Sequence, residues 1–152
     1  MTLPRDSIHG PIAPTPLNPG ETLLHNWAAD KTTYWRGHAI MAAIGGIIAG
    51  IALIAAGNPD PWVGPVAAII AMGIRGSYLA SEALALTWRL TDKRLLGPGD
   101  RSIGLAEITR ARPFFGDVQI VTHKGDKHLM KYMAATAPVI AAIDAARQGT
   151  RR

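Results

Sequence analysis

The chain has 152 residues, enough for about one domain, and combines 48% hydrophobic residues with a formal net charge of +5. It contains no cysteine, which excludes a disulfide scaffold, a thiolate metal site, iron–sulfur ligation and a cysteine nucleophile. The apolar residues and the 16 lysines and arginines lie in different parts of the sequence, a segregation typical of a membrane anchor joined to a small soluble domain.

The first 36 residues contain two short segments that precede the apolar part of the chain. Residues 1–20 have no apolar periodicity and are predicted to form an extended arm, because they contain five prolines: Pro4, Pro11, Pro14, Pro16 and Pro19. Residues 21–36 form a juxtamembrane segment with Leu23, Leu24 and Trp27 on its apolar side. We expect this segment to be a strand or an interfacial helix.

Residues 37–86 are predicted to form a two-helix transmembrane hairpin. Two apolar runs, 37–57 and 62–86, are each long enough to cross a hydrocarbon core of roughly 30 Å, and residues 58–61 turn the chain back. Aromatic residues stand at the predicted boundaries, where amphipathic rings are favoured: Tyr34, Trp35, Trp62 and Trp88. Basic residues flank the hairpin while its loop has only Asp60, so the positive-inside rule predicts a bacterial inner-membrane protein with both termini and the soluble domain in the cytoplasm.

Two features of the hairpin are candidate sites of intramembrane contact. Gly46, Gly50 and Gly76 belong to rows of small residues, which allow helices to approach within the chain, in a homodimer or against another protein. Arg75 and Glu82 are ionisable, lie seven residues apart on one helical face, and are costly inside a membrane. Counted from Trp62, Arg75 lies deep in the span, where it either snorkels toward head groups or pairs with a group of another membrane subunit.

Residues 87–152 are predicted to form a small cytoplasmic domain. Apolar residues alternate from Leu86 to Leu90, a turn follows at Asp92-Lys93, and further strands are expected around Ile103 and Val118. A C-terminal helix is expected to begin near Thr136 and to end at Gly149. The fold class is therefore α+β: a helical hairpin, a small antiparallel sheet and a terminal helix.

The basic residues of this domain favour an anionic membrane surface as a partner. Each basic residue near an anionic leaflet contributes about 1 kcal/mol, and nucleic acid is disfavoured because exposed aromatic residues do not alternate with the charges. The predicted lipid head-group patch comprises Arg89, Lys93, Arg94, Arg110 and Arg112.

The order of these elements resembles the bacterial pleckstrin-homology-like proteins with an N-terminal membrane anchor. The resemblance rests on Gly20-Glu21, the hairpin, the stretch from Trp88 to Leu96 and the Ile103 to Ile108 element, and it covers roughly residues 21–148. It implies a strongly bent antiparallel sheet closed at one end by the terminal helix. Only about 60 residues follow the hairpin, so either residues 21–28 supply the first strand or the sheet is abbreviated.

The sequence predicts a non-catalytic protein without a cofactor or a metal. A serine nucleophile elbow, an HExxH motif and a phosphate-binding glycine loop are all missing. Five histidines remain, His9, His25, His38, His123 and His128, of which the last two flank a turn and offer two metal ligands in a less favoured alternative. The preferred interpretation is an accessory or assembly subunit that docks on a larger integral membrane complex of the bioenergetic type. A self-sufficient module that binds anionic lipid is the second.

Overall fold

A computed structural model describes residues 14–150, so Pro4, His9 and Pro11 lie outside the described residues. Seven strands and three long helices follow one another in this range, with a 3₁₀ turn at Leu105–Glu107. Their bounds are β1 Leu23–Ala28, α1 Lys31–Ala55, α2 Val63–Leu84, β2 Thr87–Thr91, β3 Arg94–Gly97, β4 Arg101–Gly104, β5 Ile108–Phe114, β6 Asp117–Thr122, β7 Lys127–Met130 and α3 Thr136–Thr150.

The two apolar helices are inserted between neighbouring strands of one sheet. β1 and β2 pair antiparallel, with Trp27 opposite Trp88 and Ala28 opposite Thr87. Of the two alternatives for residues 21–28, the structure therefore has the first: they contain the first strand. Because β1 ends where α1 begins and β2 begins where α2 ends, both helices leave from the same end of the sheet, which we call the hairpin end.

Two antiparallel sheets and α3 enclose the core of the sheet domain, which comprises β1 to β7 and α3. The strand orders are β1-β2-β3-β4 and β5-β6-β7. Alternate residues of the strands point inward, as the period of two predicts, and α3 covers them with Val139 and Ile143. The buried strand residues of this core are Trp88, Leu90, Leu95, Ile103, Ile108, Val118, Ile120 and Met130. The α+β class, the antiparallel strands and the terminal helix are confirmed.

Two predicted helix boundaries were wrong. α1 begins at Lys31 rather than at residue 37, because the Asp30 carboxylate accepts the backbone N–H of Thr33 at 2.6 Å and caps the helix. Residues 31–36 thus belong to the helix and not to a separate juxtamembrane segment. α3 continues past Gly149 to Thr150, whose hydroxyl donates to the Ala146 carbonyl.

The helical pair, α1 with α2, has its large apolar side chains on the outside. Ile47 and Ile70, for example, keep 62% and 56% of their surface exposed, whereas the residues between the helices are small. Within residues 14–150, these two helices are long and apolar enough to cross a membrane, and little of either is buried in the fold. They are therefore not the core helices of the sheet domain.

Candidate interaction surfaces

The small residues of the hairpin are used where α1 and α2 touch. A Cβ on Gly46 would lie 3.1 Å from the Cα of Pro65, and one on Gly64 would lie 2.9 Å from the backbone of Ala49. Gly46, Gly50 and Gly64 are all buried. The predicted contact residues Gly46 and Gly50 therefore have a neighbour within the chain, in a tight contact at Gly46 and an ordinary van der Waals contact at Gly50.

Near the sheet domain the helices are joined through Gly76. The Tyr34 hydroxyl donates to the Gly76 carbonyl at 2.7 Å, and a Cβ on Gly76 would lie 2.8 Å from the Trp35 ring. His38 packs beside the same glycine, which gives this histidine a packing role and places it away from any cluster of ligands. Gly76 is thus level with the first two turns of α1.

The same register gives the position of Arg75 along the helical pair. Because Arg75 adjoins Gly76, it lies level with the first two turns of α1 at the hairpin end, and α1 rises about 27 Å from Gly37 to Ala55 beyond that level. Trp62, from which the depth of Arg75 is counted in the sequence, is not at the tip: a Cβ on Gly50 would lie 3.8 Å from the carbonyl oxygen of neighbouring Pro61. Arg75 therefore lies at one end of the apolar stretch and not in its interior.

The outward side of α2 has a polar stripe near the sheet domain, formed by Arg75, Tyr78 and Glu82. All three are exposed, Tyr78 to 82%. Among the described residues, no ion pair joins Arg75 to Glu82. We call these three residues the outer stripe.

The five basic residues predicted to bind lipid head groups do not form one surface. The Arg89 guanidinium donates to the Thr15 carbonyl, and Arg112 donates twice to Gln119 Oε1, at 2.9 and 2.6 Å. Lys93 and Arg110 are exposed, but Lys93 lies in the β2–β3 turn at the end of the sheet away from the helices. The strands place these residues on two different sheets, and the binding of lipid head groups by the five together stays a prediction.

Arg94, the fifth member, belongs to a buried ion pair with Glu21. Its Nε and Nη2 donate to the two Glu21 carboxylate oxygens at 2.8 and 2.9 Å, and the Glu21 side chain is fully buried. The Thr91 hydroxyl donates to the same carboxylate at 2.7 Å, as does the Asn18 backbone N–H. The Arg94 hydrogen bond, helped by Thr91, lowers the pKa of Glu21 to about 2 although burial opposes the shift.

This ion pair fastens residues 14–21 to the outside of the four-stranded sheet. Arg94 also donates to the Pro16 carbonyl at 3.2 Å, and the Thr15 hydroxyl donates to Asp100 in the β3–β4 turn. Leu96 has only 2% of its surface exposed although it stands outside the main core. The described part of the predicted arm is therefore attached to its own sheet, and it ends in a turn closed by the hydrogen bond from the Glu21 backbone N–H to the Asn18 carbonyl.

Hydrogen bonds and rings join the helical pair to the sheet domain. The backbone N–H of Asp30 donates to the Tyr132 carbonyl at 2.7 Å, and that of Ala29 donates to the Leu86 carbonyl at 3.1 Å. The rings of Tyr34 and Tyr132 meet edge to face, with centroids 5.1 Å apart. With no flexible linker between Ala28 and Lys31, the helices are held at a fixed position on the sheet domain.

His123 and His128 line one cleft of about 390 Å³ beside β4 and the β6–β7 turn. Asp126, Glu107 and Arg101 also contribute to its walls. His123 is exposed and hydrogen-bonded to Thr109, and within residues 14–150 no three histidine, aspartate or glutamate side chains come together as a metal-binding group. The structure therefore provides no ligand set for the metal alternative among these residues.

Sequence reasoning missed the role of Glu21, whose carboxylate accepts four hydrogen bonds. Its side-chain partners Thr91 and Arg94 stand 70 and 73 residues away in the chain. The site has one local signal in the sequence, the Leu-Thr-Asp-Lys-Arg stretch, in which a turn separates the threonine from the arginine. No local pattern marks the acidic partner, Glu21.

The chain matches no protein-family model, no curated protein and no solved structure.

Proposed function

We propose that this chain is a membrane-anchored, non-catalytic interaction protein, an accessory or assembly subunit of a larger integral membrane complex of the bioenergetic type. Its helical pair spans a bacterial inner membrane, and both termini and the sheet domain lie in the cytoplasm. In this proposal the sheet domain is pleckstrin-homology-like. Its antiparallel strands and the terminal helix that packs on them support this, because the resemblance implies a bent antiparallel sheet closed by a helix.

The observation that supports this proposal most is the insertion of the helical pair between two neighbouring strands. A domain attached by a single flexible tail is free to turn, but here both helices enter the sheet domain directly and are fixed by Asp30 and Tyr34. Such an anchor defines which face of the domain meets the membrane and which faces remain open to a partner.

Charge supports the proposed orientation. Exposed basic residues gather at the hairpin end: Lys31, Arg36, Arg75 and Lys131. The loop at the other end of the helices has Asp60 and no basic residue. The positive-inside rule therefore favours the sheet domain on the cytoplasmic side.

The outer stripe of α2 is the proposed contact with the partner. α2 is the less apolar helix, with a mean hydropathy of 1.4 against 2.2 for α1, and the stripe is where its polar residues face outward. A cation and a carboxylate at the edge of a membrane are stabilised by opposite charges on a neighbouring helix. A purely lipid-facing helix gains nothing from Glu82, whose charge is the same as that of anionic head groups.

Purification in a mild detergent from the membranes of its own cells tests the proposal. We expect the protein to elute in a complex far larger than its own 16.1 kDa with bound detergent, and Arg75→Leu to release it. Lys93→Leu removes the same charge at the far end of the sheet and should leave the complex intact. A wild-type protein that elutes alone at monomer mass would contradict the proposal.

A self-sufficient lipid-binding module is the less favoured function. Its basic patch loses Arg89, Arg94 and Arg112 to partners inside the protein. Binding of the full chain's sheet domain to lipid would then depend on residues at the hairpin end.

A further inference from the structure

The β5–β6 turn exposes the two phenylalanines of the chain. Phe115 has 95% of its surface exposed and Phe114 has 38%, and their rings meet edge to face with centroids 4.9 Å apart. Phe115 has a φ of 49° and Gly116 a φ of 90°, so both central residues of the turn adopt left-handed conformations. A tight two-residue turn of this kind holds its side chains away from the core.

This turn lies at the hairpin end of the sheet domain. Phe114 pairs with Asp117, and the Asp117 carboxylate accepts the backbone N–H of Tyr132 at 3.0 Å. Tyr132 is the residue whose ring and carbonyl meet Tyr34 and Asp30 at the start of α1. Two hydrogen bonds, Asp117 to Tyr132 and Tyr132 to Asp30, therefore connect the β5–β6 turn to the start of α1, where the apolar surface of the helical pair begins.

We propose that Phe114 and Phe115 insert into the boundary between the head groups and the acyl chains of the bilayer. This inference rests on the proposed function, in which the helical pair crosses the membrane. Aromatic side chains are favoured at that boundary, and the exposed Lys131 next to Tyr132 lies on the same side toward anionic head groups. The sheet domain thereby has a second attachment to the membrane besides its helices.

Lipid is the occupant that the position favours over a protein. The rings lie at the same end of the sheet domain as the start of α1, whose apolar Ile40, Met41 and Ile44 are all more than half exposed. A membrane that surrounds those isoleucines reaches the turn as well, whereas a protein partner at the outer stripe meets α2. At the opposite end of the sheet the comparable β6–β7 turn has Lys124 and Gly125 in place of aromatic residues.

The absence of cysteine in the chain makes the test direct. Single cysteines at positions 115, 124 and 47 are labelled with an environment-sensitive fluorophore, and each full-length protein is reconstituted in vesicles of phosphatidylethanolamine and phosphatidylglycerol. We expect the label on Phe115→Cys to emit further to the blue than that on Lys124→Cys and to be quenched by iodide about threefold less. Equal quenching of the two labels overturns the proposal.

The label on Ile47→Cys separates the two hypotheses. If it is protected in lipid while position 115 is not, the helices insert and only the aromatic turn fails. If position 47 is accessible to iodide, the proposed membrane insertion itself fails, and the proposal about the turn fails with it.

The label is itself apolar and, at position 115, replaces one of the two rings. A second measurement therefore leaves both rings in place. The label is moved to Pro113, an exposed residue of β5 beside the turn. Lipids with a quencher at the head-group level should quench it in the otherwise native protein, and Phe114→Ser with Phe115→Ser should reduce that quenching about threefold. Lipid insertion is overturned if the quenching is the same in the two proteins. It is also overturned if the label at position 113 is shielded from water in native membranes but not in vesicles that contain no other protein.

Discussion

The helical pair and the sheet domain are held together by opposite kinds of residue. In the sheet domain, large side chains such as Trp88 and Ile120 are fully buried. In the helical pair, Gly46 and Gly64 are buried, and isoleucines cover the outside. The sheet domain is organised by removal of apolar surface from water, whereas the helical pair depends on close backbone contact.

In the proposed function the two regions lie in different solvents, the helical pair in lipid and the sheet domain in water. Burial of Ile47 inside the helical pair would gain nothing if lipid replaces water around it, because acyl chains are as apolar as isoleucine. The 2.9 Å and 3.1 Å approaches at Gly64 and Gly46 are what remains to specify the pair. Substitutions of the same chemical type should thus have opposite effects in the two regions.

The largest expected contrast is between two isoleucines. Ile120→Ala should lower the free energy of unfolding of the sheet domain by about 3 kcal/mol, because it leaves a cavity at a fully buried position. Ile47→Ala, at a position 62% exposed, should change the stability of the fold by less than about 0.5 kcal/mol. Hydrogen exchange in β6 and α1 measures both, and equal losses would contradict the contrast.

A second prediction concerns Glu21, the charge buried at the edge of the sheet domain. Since its pKa falls from 4.5 to about 2 on folding, its contribution to stability is complete above pH 4.5 and is lost as the pH falls toward 2. The loss should be on the order of 2–3 kcal/mol. Thermal unfolding in detergent, followed as the pH is lowered from about 6, measures this loss of stability.

The matched variants for this titration are Glu21→Gln and Glu107→Gln. Glu21→Gln should lower stability at neutral pH and flatten the dependence on acid, because it removes the carboxylate that pairs with Arg94. Glu107 is exposed, so its substitution should preserve the wild-type curve. If the curves of wild type and Glu21→Gln stayed parallel, the ion pair would not be the source of the acid sensitivity.

Glycine substitutions in the helical pair should show the reverse of the isoleucine result. Gly64→Ala adds one methyl group against the backbone of Ala49 and should destabilise the pair by about 1–3 kcal/mol. Gly73→Ala, where nothing lies within 4 Å, is the control. Spin labels at Ile51 and Val66 should report a wider separation only in Gly64→Ala, and an unchanged separation would remove close contact as the organising feature.

The smallest expected effect is at the joint between the two regions. Tyr34→Phe keeps the ring contact with Tyr132 but deletes the hydrogen bond to the Gly76 carbonyl, a loss of about 1 kcal/mol. Hydrogen exchange around Gly76 should increase. Tyr78→Phe removes a hydroxyl from a residue 82% exposed and should leave exchange unchanged.

Local patterns in the sequence were sufficient for most of the elements. The apolar runs predicted two helices, alternation predicted the strands around Leu90 and Val118, and the Asp92-Lys93 turn followed from its neighbours. The start of α1 was misplaced because hydropathy changes at Gly37 while the capping carboxylate is at Asp30. The start of a helix depends on hydrogen bonds to its first backbone N–H groups, and a hydropathy pattern gives no information about these hydrogen bonds.

The candidate surfaces were harder to predict because they depend on register. The depth of Arg75 follows from its neighbour Gly76 meeting Trp35, a pairing that cannot be counted from either end of the hairpin. The partner of Arg94 was missed for the same reason: Arg94 meets Glu21 only because β1 and β2 pair across the helices. Long-range pairing has no local signature in the sequence.

The position of β1 ahead of the helices also sets an order of assembly. During synthesis, at about 5–20 residues per second, the ribosome adds Thr87 several seconds after Ala28. Throughout that interval β1 has no neighbouring strand to pair with, while both helices are being made. The four-stranded sheet closes only when the second helix has returned to the sheet domain, so completion of the domain depends on correct pairing of the two helices.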